Sequence, residues 1–173
     1  ARILAELGQT DEARDRYRAL VSVLLARGEP DKAIEAARRL AELAPDDLDA
    51  RLALADLLEK RGRPQAWRDE MLLAARLAAD RDDLPRARAA LERVLETEPA
   101  HRAALAALAD VLARLGETDD ACRRLEELAG LSLKAGETAS AAAVLTQVLE
   151  RQPENLEARR RLARALTALG RKA

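Results

Sequence analysis

Apolar residues recur along this chain every three or four positions, the spacing that places them on one face of an α-helix. Ala13, Tyr17, Leu20, Val21 and Leu24 form the first such stripe. Thr10 is placed to cap it, with Asp11 and Glu12 in its first turn, and Gly28 stops it. A second stripe, Ala33, Ala37, Leu40 and Leu43, runs from near Asp31 to Pro45. A third, Leu48, Leu52, Leu54, Ala55 and Leu58, fills Asp47 to Arg61 and ends at Gly62. The pattern predicts further helices over 64–80, 84–97, 100–115, 118–135, 138–151 and 155–169. The first helix of each trio, over 10–27, 64–80 and 118–135, should be continuous, with Leu20 and Leu24 buried. Links of two to four residues predict antiparallel hairpins.

The stops themselves are periodic. Glycines stand at 8, 28, 62, 116, 136 and 170, at intervals of 20, 34, 54, 20 and 34. The 54 is a 20 plus a 34, with Asp82 in the glycine slot between. Pro45, Pro99 and Pro153 repeat every 54 residues. A fixed period of this size predicts stacked units that bury their apolar faces against one another. The chain reads as one array over 1–173, with units 8–61, 62–115 and 116–169 and partial flanking repeats at 1–7 and 170–173.

Composition sharpens this to an all-α fold. Of the 173 residues, 40 are Ala and 32 are Leu; Val and Ile together number eight, and Phe is absent. Strands need β-branched and aromatic residues, and this chain has few of them. Arg outnumbers Lys by 26 to 4, which points to a GC-rich, bacterial genome. The net charge of -1 argues against a nucleic-acid binder. No apolar run approaches the ~18 residues a membrane span needs. One Cys allows no internal disulfide and fits a reducing, cytoplasmic setting.

Candidate chemistry is sparse. His101 is the only histidine and Cys122 the only cysteine, so no His/Cys metal site assembles within the chain. His101 reads as an exposed helix-start residue and Cys122 as a small packed thiol. The glycines are single helix stops rather than a phosphate-cradling cluster. Acidic pairs such as Asp46 and Asp47 sit where a helix dipole favours them. No catalytic, cofactor or metal site is expected. Trp67 takes the slot held by Ala13 and Ala121, either repacking locally or turning outward as an aromatic anchor for a partner.

The segments from Gly28 to Gly62 and from Gly136 to Gly170 resemble tetratricopeptide repeats. The signature reads Gly28, Ala33, Ala37, Leu40, Pro45, Leu54, Ala55, Leu58, Gly62 in the first unit. It recurs as Gly136, Ala141, Leu145, Val148, Pro153, Leu162, Ala163, Leu166, Gly170 in the third, and with Asp82 for the first glycine in the second. The departure is the 20-residue interval, which holds one helix serving two roles. The resemblance is to a bacterial variant with a 54-residue, three-helix super-repeat, an α-solenoid of antiparallel helices. Three helices per unit leave two arrangements open: equivalent helices that swap layers, or a third row.

The resemblance implies a non-catalytic scaffold that binds a peptide or protein along a groove on the third helices. The implied groove residues are Asp49, Leu52, Asp56, Glu59 and Lys60, then Ala103, Ala106, Asp110, Ala113 and Arg114. In the third unit they are Glu157, Arg160, Arg164, Thr167 and Ala168. The asparagine and lysine set that clamps a C-terminal carboxylate in chaperone-binding members is missing. Two alternatives stay open: self-assembly into an oligomer or filament, and a recruiting or sensory module of a larger enzyme or regulator.

Overall fold

A computed structural model describes residues 10–170. The flanking repeats expected at 1–7 and 170–173 therefore lie largely outside the described residues, as does the side chain of Thr10. Among the described residues there are nine helices and no strand. They are α1 (Thr10–Ala26), α2 (Pro30–Leu43), α3 (Leu48–Lys60), α4 (Pro64–Asp80), α5 (Leu84–Thr97), α6 (Arg102–Arg114), α7 (Thr118–Lys134), α8 (Thr138–Arg151) and α9 (Leu156–Gly170). The fold class is all-α, of the helical-repeat solenoid type.

The chain divides into two compact units, 1–81 and 82–173. Within the first, α1 packs on α2, α2 on α3 and α3 on α4. Within the second, α5 packs on α6, α6 on α7, α7 on α8 and α8 on α9. Leu inserts between Ala-lined surfaces. In the second unit Leu125, Leu145 and Val148 meet Ala109, Ala129 and Ala158, with Cys122 among them.

Two kinds of turn connect the helices, and each follows from its residues. At Gly62 the glycine N–H donates to the Glu59 carbonyl (2.9 Å) and the Arg63 N–H to the Leu58 carbonyl (3.0 Å). This pairing reverses the chain and needs a left-handed residue, which Gly62 supplies at φ 61°. Nothing lies within 4 Å of where a Cβ on Gly62 would stand, so the requirement is conformational, not steric. Gly28, Gly116 and Gly136 close α1, α6 and α7 the same way.

Asp82 adopts φ 61° at the corresponding place after α4, the one non-glycine left-handed residue among those described. An L-residue there costs of order 1 kcal/mol, somewhat less for Asp. Its exposed pair with Arg114 (2.9 Å) returns little. Asp82→Gly is therefore expected to raise stability by about 0.5–1 kcal/mol. Gly116→Ala should lower it by about 1 kcal/mol. Urea unfolding of the two variants measures both, and loss of stability in Asp82→Gly would refute the strain argument.

The second turn uses proline. Pro45, Pro99 and Pro153 push the preceding residue out of the helical region, ending α2, α5 and α8 at Leu43, Thr97 and Arg151. The N–H groups of Asp47, His101 and Asn155 donate back to the carbonyls of Ala44, Glu98 and Gln152, closing a β-turn around each proline. The same three residues then cap the next helix: Asp47 accepts from the Ala50 N–H (3.0 Å) and Asn155 Oδ1 from the Ala158 N–H (3.0 Å). His101 does so through Nδ1, from the Ala104 N–H (3.1 Å).

Two of these caps are also tied to another helix. Arg18 of α1 donates to Asp47, and Asn155 donates to Glu126 of α7 at 2.8 Å. Residues 18 and 126 hold equivalent places, so the link persists with donor and acceptor exchanged. Burial pushes the Asp47 carboxyl upward. The Ala50 and Asp49 N–H groups and the Arg18 guanidinium outweigh it and hold the carboxyl below its ordinary value of 3.8. A depressed folded value stabilises above the unfolded pKa and is lost as pH falls through the folded one. Asp47→Ala should thus cost about 0.5–2 kcal/mol at neutral pH, shrinking in acid. Urea titrations at neutral and acidic pH test this, and a pH-independent cost would refute the role given to its charge.

One expected burial fails. Leu24 is buried, but Leu20 is 39% exposed. Its counterpart Leu128 is buried because α7 is covered from both sides, by α6 and α8. Among the described helices the extensive packing of α1 is with α2.

Candidate functional site

The residues that the sequence nominates on α3, α6 and α9 are surface residues. Asp49, Asp56 and Lys60 are exposed on α3, and Leu52 is half-buried. Ala106, Asp110 and Arg114 are exposed on α6, where Arg114 reaches Asp82. Arg160 and Arg164 are exposed on α9, and neither makes an ion pair or hydrogen bond with another described residue. Trp67 corrects one expectation. It is 4% exposed, so it is a buried residue and not an outward anchor.

The concave surface of the second unit is built on a different helix. Arg123, Glu126, Glu127, Gly130, Leu131 and Lys134 lie along one face of α7 and floor a hollow of about 670 Å³. Pro99, Ala100 and Leu105 wall it on the α6 side and Arg161 on the α9 side. A second hollow of about 320 Å³ shares Gly130 and Arg161 and extends to Leu133, Thr138, Arg164, Ala165 and Ala168. Of the nominated residues, Arg164 and Ala168 line this surface, and Ala106, Asp110, Arg114 and Arg160 do not. The residues missed lie on α7. The signal for them was Gly130, the one glycine outside the periodic set.

The walls are fixed by short-range chemistry. Asn155 ties the start of α9 to Glu126 on the floor. Arg102, at the start of α6, donates to the buried Ser132 hydroxyl (3.0 Å) and to Glu137 (2.8 Å), anchoring the far end of α7. The Arg102 guanidinium in turn holds the Glu137 carboxyl below its ordinary range. The first unit has its own hollows. One of about 720 Å³ lies between α1 and α2, lined by Tyr17, Leu20 and Leu24 with Lys32, Glu35 and Arg39. Another, of about 400 Å³, is bounded by Arg51, Asp69 and Glu70, with Arg51 and Glu70 paired at 3.2 Å.

Burial raises the Cys122 thiol pKa, which disfavours the nucleophilic thiolate. The His101 imidazole is engaged as a helix cap. Among the described residues no group of three or more His, Cys, Asp or Glu side chains could hold a metal ion. Nor is any of their helices long and apolar enough to cross a membrane.

No curated protein matches the chain by sequence. Several solved structures are similar in backbone at low identity. The MamA protein is 20% identical, with 91% of this chain and 92% of that one covered, at a TM-score of 0.46. Pseudomonas aeruginosa pilF is 20% identical over 94% and 93%, at 0.35. YrrB, described as a TPR protein with an unusual peptide-binding site, is 14% identical over 82% and 88%, at 0.32. Family models of the tetratricopeptide repeat match residues 14–57, 72–132 and 132–173, and another matches 1–19. With these matches spread over most of its length, the chain belongs to the tetratricopeptide-repeat family.

Proposed function

We propose that this protein is a non-catalytic scaffold that holds a peptide or protein segment in the groove floored by α7. The observation that carries this is the two joined hollows of the second unit, which put Pro99, Leu105 and Leu131 beside Lys134, Arg161 and Arg164. Apolar surface interrupted by a few charges suits a segment laid into a groove. The helix bounds support reading 8–61, 62–115 and 116–169 as copies of one three-helix unit in a single array. α1, α4 and α7 each start 54 residues after the last, at Thr10, Pro64 and Thr118. Asp49, Leu52, Asp56 and Lys60 in the first unit, and separately Ala106, Asp110 and Arg114 in the second, are secondary contact residues in this reading. The single buried Cys122 supports a reducing, cytoplasmic setting.

Panning the whole chain against a displayed library of short random peptides tests the proposal. Binders should crosslink to α7 or α9, and their affinity should fall when Arg164 becomes Glu. Rim charge mainly steers association, so the same change should flatten the salt dependence. The absence of any binder, or crosslinks confined to other helices, would refute the assignment. Self-association is the second reading, favoured by Leu156 and Leu166 on α9, which are 60% and 54% exposed. Their counterparts on α3, Leu48 and Leu58, are buried. Mass measured over a concentration series would reveal it.

A further inference from the structure

We infer that Gly130 is kept bare so that the main chain of an acidic peptide can lie against α7, with its carboxylates reaching Lys134 and Arg164. The inference rests on the groove reading above and names the chemistry of its occupant. Gly130 sits inside α7, where glycine weakens a helix relative to alanine. None of the usual reasons for a glycine applies. Its φ is not positive, unlike those of the helix-stop glycines. Nothing lies within 4 Å of the position a Cβ would take, so no neighbouring helix needs the space. The equivalent positions of the other units carry Ser22 and Arg76, so the repeat itself does not demand it. The open space is on the groove floor, where the two hollows of the second unit meet. A missing side chain at that point lets a ligand approach the helix backbone closely.

Charge selects the occupant. Glu126 is engaged by Asn155 (2.8 Å), Glu127 by Arg124 (3.1 Å), Arg161 by Glu157 (3.0 Å) and Arg123 by Asp120. Lys134 and Arg164 have no ion pair or hydrogen bond with another described residue. Asn155 is neutral, so Glu126 keeps its negative charge; against it the groove sets two unpaired cations, Lys134 in one hollow and Arg164 in the other, leaving a positive excess that suits carboxylate side chains.

The test has two arms. Gly130→Ala should raise Tm by about 2–4 °C, because it restores helix propensity without a clash. Peptides enriched by panning on the wild-type chain should be net acidic. They should bind Gly130→Leu about tenfold or more weakly, and should lose their salt dependence on the Lys134→Glu, Arg164→Glu double variant. Circular dichroism verifies that both variants stay helical. A fall in Tm for Gly130→Ala would make the glycine structural and overturn the inference. Enriched peptides that are basic, or that bind Gly130→Leu as well as wild type, would overturn it while leaving the scaffold reading intact. No enrichment at all would overturn both.

Discussion

Trp67→Ala is expected to destabilise the protein by about 3–5 kcal/mol in urea unfolding, the range seen when a large buried aromatic is truncated. Native domains are stable by only about 5–15 kcal/mol, so this single change should remove a large share of the total. The expectation rests on position. Trp67 is 4% exposed, and its counterparts Ala13 and Ala121 are fully buried. The slot is thus interior wherever it occurs. Rigid helices cannot close around the missing rings, so truncation leaves a cavity as well as removing apolar area. An outward anchor would behave differently, with a change within about 0.5 kcal/mol and a loss of partner binding instead. A cost below about 1 kcal/mol would restore that reading.

Leu145→Ala should cost about 2–5 kcal/mol, and Leu20→Ala well under 1 kcal/mol. Leu145 has no exposed surface and packs with Val148, Leu125, Ala129 and Ala158. Two of these four partners are alanines, which have no longer side chains to swing into a void. Leu20 is 39% exposed, so its removed methyl groups were already partly in water. Parallel urea titrations of the two variants test the burial pattern directly. Equal costs would mean that α1 is covered on both sides in solution.

The helix bounds were legible in the sequence because their stops are chemical. Positive φ at Gly28, Gly62, Gly116 and Gly136, and proline at 45, 99 and 153, end a helix whatever packs around it. The span expected over 64–80 is Pro64–Asp80, and that over 84–97 is Leu84–Thr97. Burial was less legible. Periodicity says which residues share a face, but not whether a neighbour covers it, so Leu20 and Leu24 looked alike and differ. Trp67 shows the same gap, since size alone does not reveal which way an indole turns. The groove was the least legible feature. Family likeness pointed to the third helices, yet the hollows of the second unit are floored by α7. Concavity depends on how helices splay, and the spacing of Leu and Ala along the chain carries no record of that angle.

The exchanged link between Arg18 and Asp47 in one unit and Glu126 and Asn155 in another bears on how such a chain can recombine. A crossover between whole units transfers both members of a pair together and keeps the hydrogen bond. A crossover falling between them would set Glu at the place of Arg18 facing Asp47, two carboxylates where one accepted bond had been. Like charges at that distance repel. Shuffled arrays joined at Gly62 or Gly116 should therefore fold more often than arrays joined at Gly28 or Gly136, which lie between the members of a pair.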